Sequence, residues 1–157
     1  MKRGIILLVL TTGIFLFAAE AHAIAGLSIK IGGGFIPEGS RPGGIVKADI
    51  GPISPFAEFF KKSGTTTLNL GANLLFFNLP LPILQPYLGG GGGVSWSSGG
   101  GQSKAYFLAT GVGGTDLKLT ESLHLFGQVK YLYTFGSGSF VIRKVAIQAG
   151  VVFGFEF

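Results

Sequence analysis

Past residue 23 the chain carries one histidine, His124, six scattered carboxylates and no cysteine. Nucleophilic catalysis needs a hydroxyl or thiol held within reach of a base. Phe126, not a serine, stands two residues beyond His124, so the imidazole reads as a polar residue near a strand end. One histidine among dispersed carboxylates makes no metal-ligand cluster. Five consecutive glycines, 89–93, could cradle a phosphate through their backbone N–H groups. No lysine–hydroxyl pair follows them and no helical pattern opens after them, so the phosphate-loop context is missing. They suit a strand that curves tightly and leaves room for large neighbours. The sequence assigns no catalytic, cofactor or metal residue and no nucleic-acid partner.

What chemistry remains is charge, and its spacing follows a period of two, the side-chain period of a strand. Leu27, Ile29, Ile31 and Phe35 alternate with Ser28, Lys30, Gly32 and Gly34. Residues 37–44 form a loop by their Pro and Gly content. A second strand, 45–50, sets Val46, Ala48 and Ile50 against Lys47 and Asp49, and 51–55 turns the chain. A third, 56–62, places Phe56 and Phe60 on the side of Glu58, opposite Ala57 and Phe59. After 63–65, a fourth strand alternates Leu68, Leu70, Ala72, Leu74 and Phe76 with Asn69, Gly71 and Asn73. Residues 78–84 are a turn, 85–96 a fifth strand, 97–103 a loop and 104–115 a sixth strand. For the sixth, Tyr106, Leu108 and Val112 are assigned outward, opposite Ala105, Phe107, Ala109 and Gly111. Residues 116–121 turn again. A seventh strand opposes Leu123, Leu125, Val129, Tyr131, Tyr133 and Phe135 to His124, Gln128, Lys130 and Thr134. After 136–139 the last strand presents Val151, Phe153, Phe155 and Phe157 on one face, with Val152 the exception on the other.

Throughout, one face is bulky and greasy and the other is small or polar. An even number of antiparallel strands, linked in order, closes into an up-and-down barrel without free edges. Eight strands leave an interior too narrow for two layers of Leu and Phe. The greasy face must therefore be outside, which makes this an all-β, eight-stranded antiparallel transmembrane barrel. Aromatics collect at both ends as girdles would: Phe35, Trp96, Tyr106, Tyr133 and Phe135 at one, Phe76, Tyr87, Phe155 and Phe157 at the other.

Composition agrees. Of 157 residues, 47% are hydrophobic and 12% charged, with 28 Gly and 15 Phe. Lys2 and Arg3 precede an uncharged, mostly apolar run, 4–18, shorter than the roughly 20 residues of a spanning helix. Ala21-His22-Ala23 puts small residues at the two positions a signal peptidase reads. Residues 1–23 are thus expected to be a cleaved signal peptide and 24–157 the barrel domain. No later segment is apolar enough for a helical span.

Two groups of charge follow from this parity. Lys30, Lys47, Asp49, Glu58, Lys130 and Glu156, with Asn69, Asn73, Gln128 and Gln148, point inward. Buried charges must pair or meet water, so mixed signs imply a salt-bridged plug, with a narrow polar pore as the alternative. Arg41, Lys61, Lys62, Lys104, Arg143 and Lys144 fall at the ends away from the termini, with Glu38 the lone acid there. Such a rim suits phosphate groups, which Lys and Arg bind by charge-assisted hydrogen bonds.

Three stretches carry a family resemblance. Residues 86–91, PYLGGG, resemble the fifth strand of the small outer-membrane β-barrel domain family, which includes the OmpA/OmpX-type barrels. Residues 114–123, GTDLKLTESL, resemble its sixth-to-seventh hairpin, and 130–133, KYLY, its seventh strand. The last strand is similar to the C-terminal signal read by the barrel assembly machinery. Gln148, Gly150, Phe153 and Phe155 fit that signal, with Glu156 and Phe157 as a two-residue overhang. The resemblance implies a monomeric protein of the cell outer membrane, with lipopolysaccharide phosphates as the ligands of the basic rim. The expected role is structural, with a surface adhesin, a narrow pore and a lipid-modifying enzyme as the alternatives.

Overall fold

The computed structural model describes residues 26–136 and 141–156, and side chains for 27–136 and 143–154. Alternating sequence becomes alternating burial. In β4 (Thr65–Asn78), Asn69, Asn73 and Leu75 are buried while Leu68, Leu70 and Leu74 are exposed. The other strands are β1 (Gly26–Ile36), β2 (Arg41–Ile50), β3 (Ile53–Lys62), β5 (Leu84–Gly99), β6 (Gln102–Lys118), β7 (Leu123–Phe135) and β8 (Val141–Glu156). Each pairs antiparallel with the next, and β1 pairs with β8, so the sheet closes. The closing ladder sets Leu27, Ser28 and Ile29 against Phe155, Gly154 and Phe153. At 10–17 residues the strands beyond β1 match or exceed the roughly 9–11 that cross a bilayer when tilted. Among the described residues no helix is long and apolar enough to cross a membrane.

The turns away from the termini are tighter than the sequence suggests. Ser63 and Gly64 both have positive φ, as do Gly100 and Gly101. Two successive positive-φ residues make the mirror-image hairpin turn whose twist matches the flanking strands. The ladders therefore run on to Lys62↔Thr65 and to Gly99↔Gln102, and the loop expected over 97–103 shrinks to Gly100 and Gly101. The first loop contracts likewise to 37–40, because Arg41 to Gly44 pair with β1. The barrel thus has a turn end, bearing these hairpins, and an opposite terminal end.

Strand β6 reverses the expected parity. Leu108 and Val112 are buried, and Phe107 is 77% exposed. The cause lies in the neighbouring glycine run. Gly89, Gly91 and Gly93 share a face with the buried Tyr87 and Ser95, and register with Val112, Thr110 and Leu108. Where β5 has no inward side chains, β6 supplies them. Gly71 makes room in the same way, since a Cβ there would lie 2.9 Å from Cζ of Phe56. A register shift between Leu75 and Phe77 lets both Phe76 and Phe77 face outward.

The hydrophobic interior is small. Ile36, Phe56, Phe60, Leu108, Leu132 and Ala146 form one buried cluster. Ile45 packs with Phe126 and Val152, and Leu75 with Tyr87 and Val112. Most large apolar side chains lie outside instead, in a belt that includes Ile31, Val46, Phe59, Leu70, Leu88 and Ile147. That inversion is what a hydrocarbon solvent requires.

Candidate functional site

Between the apolar clusters the barrel holds two linked polar assemblies. Near the terminal end, Lys30 of β1 reaches Asp116 of β6, with Nζ 2.7 and 2.5 Å from Oδ1 and Oδ2. The same ammonium lies 3.0 Å from Oδ2 of Asp49. Ser54 donates to Oδ1 of Asp49 at 2.5 Å. Lys47 is the cross-strand neighbour of Lys30, a like-charge pairing that would repel without the two aspartates. Lys47 donates to Oε1 of Gln128 at 2.9 Å, and the Tyr87 hydroxyl donates to the same oxygen at 2.8 Å. Both ammonium groups also lie over the Tyr87 ring, 4.4 and 4.7 Å from its centroid, close enough for cation–π attraction.

The second assembly centres on Glu58. Lys130 donates to Oε1 at 2.5 Å, Gln148 to Oε1 at 3.1 Å and Asn69 to Oε2 at 3.4 Å. Lys130 also sits 3.0 Å from the centroid of the Phe56 ring. Gln128 donates to Gln148, joining the two assemblies. Thr110 donates to Asn73 at 2.5 Å on the facing wall. Lys30 and Lys130 meet three carboxylates at 2.5–3.0 Å, and Lys47 adds a longer contact of 4.0 Å to Asp49, so the buried charges are paired, the condition under which they are tolerated.

The structure thus brings together Lys30, Lys47, Asp49, Glu58, Asn69, Gln128, Lys130 and Gln148, as parity expects, with Asn73 close by. Glu156 is the exception, since its side chain lies outside the described residues. The third acid among the described residues is Asp116, which the sequence suggests is part of a turn. Strand β6 continues to Lys118, and Asp116 points inward with Val112 and Thr110. Tyr87 is a second correction: it is buried, and it supplies a hydroxyl to the interior rather than a ring to the girdle. Tyr106 likewise shares the inward face of Leu108. Phe35, Trp96 and Phe135 do stand exposed at the turn end, as does Phe76 toward the other. The side chains of Phe155 and Phe157 lie outside the described residues. Of the other residues of the C-terminal signal, Gln148 is buried and Phe153 exposed, and Gly150 shares the Gln148 face.

The six basic residues divide. Lys61, Lys62, Lys104 and Arg143 are exposed at the turn end. Arg41 and Lys144 are half-buried and share the inward faces of Ile45 and Ala146, so they line the barrel mouth rather than its rim. On the outer wall a groove of about 310 Å³ runs between Glu38, Tyr131, Tyr133, Arg143 and Lys144, with the Arg143 guanidinium 6.0 Å from the Tyr133 ring centroid. His124 registers with Lys118 and Val152 near the terminal end. Its Nε2 is buried without a hydrogen-bond partner among the described residues.

A greasy exterior around a charged, hydrogen-bonded interior, closed by β1 against β8, finds close counterparts among solved structures. Neisserial surface protein A superposes with a TM-score of 0.58 at 17% identity, covering 83% of this chain and 96% of that one. The N-terminal β-barrel domain of Pseudomonas aeruginosa OprF gives 0.56 at 15% identity, covering 83% and 98%. A de novo designed transmembrane β-barrel gives 0.52 at 15%, covering 83% and 96%. The fold is that of the small eight-stranded outer-membrane barrels. No protein-family model matches the sequence, and no curated protein is similar to it at a significant level. At identities of 15–17% these likenesses extend to backbone architecture alone.

Proposed function

We propose that this chain is a structural outer-membrane barrel of the Gram-negative envelope, which contributes to membrane integrity and packs against lipopolysaccharide. On this reading residues 1–23 are a cleaved export signal and the barrel assembly machinery inserts residues 24–157 as a monomer. The observation that carries it is the inversion of polarity. Lys130 is 0% exposed, while Phe107, Ile83, Ile50 and Leu74 are more than half exposed. Water favours the reverse arrangement and a bilayer favours this one.

The filled interior supports a structural role over a conducting one, since an eight-stranded barrel has room only for its own side chains. Turns of two residues at Ser63–Gly64 and Gly100–Gly101 give little surface for adhesion. Lys61, Lys62, Lys104 and Arg143, exposed at the turn end, stand where outer-leaflet phosphates would lie. The groove beside Arg143 adds tyrosine rings for the lipid below them.

Outer-membrane fractionation followed by gel migration with and without heating tests the core of this reading. A folded barrel migrates differently from its boiled form, and a soluble protein shows neither the fractionation nor the shift. The lipid part is tested by Lys61→Gln, Lys62→Gln and Arg143→Gln combined. Unchanged retention of lipopolysaccharide through purification overturns it. Lipid A mass spectrometry with and without the protein tests for lipid modification.

A further inference from the structure

At the turn end, above the Glu58 assembly, all eight strands wall a small cavity of about 20 Å³. Arg41 and Lys144 are its charged walls, and Thr67, Ser95, Thr134 and Asn69 its neutral polar ones. Among the described residues no carboxylate lines it. Glu58 lies just beyond Asn69, but its charge is already met by Lys130 at 2.5 Å. Lys144 lies in the field of Arg41, Lys62 and Glu38, two cations against one exposed acid. The Arg41 Nε is buried without a hydrogen-bond partner among the described residues.

Two half-buried cations facing one small, partly open space repel each other and want a counter-charge. An orphaned guanidinium N–H wants an acceptor. Threonine and serine hydroxyls can turn to donate to whatever sits there. The cavity is small and opens toward the barrel mouth, so its narrow part suits a guest no larger than a water or a monatomic ion.

We infer that the barrel mouth is a halide site, in which Arg41 and Lys144 hold a chloride ion with help from the hydroxyls of Thr67, Ser95 and Thr134. The ion cancels repulsion between β2 and β8 at the mouth, above the level where Ile45 and Val152 already pack together. The site is independent of any lipid contact on the outer wall.

Thermal unfolding of the full chain, folded in detergent micelles free of lipopolysaccharide, tests this at constant ionic strength. Sodium chloride and sodium bromide are expected to raise the midpoint by about 2–6 °C over sodium gluconate, with a saturable dose response. Sodium sulfate and sodium phosphate are expected to raise it only by exclusion from the surface, by the same amount in the native chain and in Lys144→Gln. The gain is expected to vanish in Arg41→Gln and in Lys144→Gln, and to persist in Lys61→Gln, a cation on the outer surface. Should Arg41→Gln fail to fold, Lys144→Gln alone decides. Bromide anomalous scattering should place the ion between the two side chains. Equal midpoints in chloride and gluconate, a sulfate or phosphate gain that is lost in Lys144→Gln, or a chloride gain retained in Lys144→Gln overturns the proposal.

Discussion

Lys30 and Asp116 are 86 positions apart in sequence, yet the lysine ammonium contacts both oxygens of the aspartate inside the barrel. The pair bridges β1 and β6, which are not neighbours in the sheet, so it ties opposite walls together. Asp49 contacts the same ammonium, and it is the only other acid near Lys30 and Lys47 among the described ion pairs. Removing Asp116 leaves two buried ammonium groups sharing one carboxylate. Asp116→Asn is expected to cost about 3–5 kcal/mol, the usual penalty for orphaning a buried charge. Lys30→Met combined with Asp116→Leu should recover most of that loss. Urea unfolding in micelles measures both; a loss below about 1 kcal/mol in the single variant means the pair contributes little.

The Glu58 assembly makes a separate prediction about permeability. Lys130, Gln148 and Asn69 converge on one carboxylate, and Gln128 links them to the lower assembly. With the lumen crossed by these bonds, the native barrel should show no steady conductance steps in a planar bilayer. Truncating Glu58, Lys130 and Gln148 together to Ala should open a small, water-filled path with resolvable steps. Conductance by the native barrel would show that the network is a pore lining and not a plug.

The strand number, the closure and the inward charges of β1, β2 and β7 are legible because charged and polar residues recur there at a spacing of two. Strand β3 is less so, because Phe56 and Phe60 share the face of Glu58. Strand β6 is not, because Gly, Ala and Thr on both faces carry no clear polarity. Its parity is set by β5, whose glycines leave a void that only Leu108, Thr110 and Val112 can fill. That is a tertiary cause, invisible in a window of one strand. The same misreading hid Asp116, which two-residue spacing from Val112 and Thr110 would have exposed. Arg41 and Lys144 were placed at the rim because strand ends and loop starts are hard to separate by composition. Their inward parity emerges only once the tight turns extend the ladders.

Packing against glycine yields a third prediction. A Cβ on Gly71 would meet Cζ of Phe56 at 2.9 Å as well as the backbone of Gly92, whereas one on Gly127 would meet nothing within 4 Å. Gly71→Ala should therefore destabilise the barrel by about 1–3 kcal/mol through overpacking. Gly127→Ala should be neutral or slightly stabilising, since a strand glycine gains from a side chain. If Gly71→Ala and Gly127→Ala unfold alike, the glycines do not set the interior packing.

The exterior belt gives the sharpest test of the surrounding solvent, because a bilayer penalises charge according to depth. Val129 lies at the middle of β7, exposed and registered with Ile147 of β8, while Phe135 ends the same strand at the turn end. Both point outward, so neither substitution disturbs the interior network. Val129→Arg should cost about 2–4 kcal/mol in lipid vesicles, and Phe135→Arg only about 0–1 kcal/mol. In water the order reverses or vanishes, since an arginine exposed at either site is simply solvated. Reversible unfolding of both variants in vesicles therefore separates the two environments. Equal small losses at the two positions would mean that the belt does not face hydrocarbon.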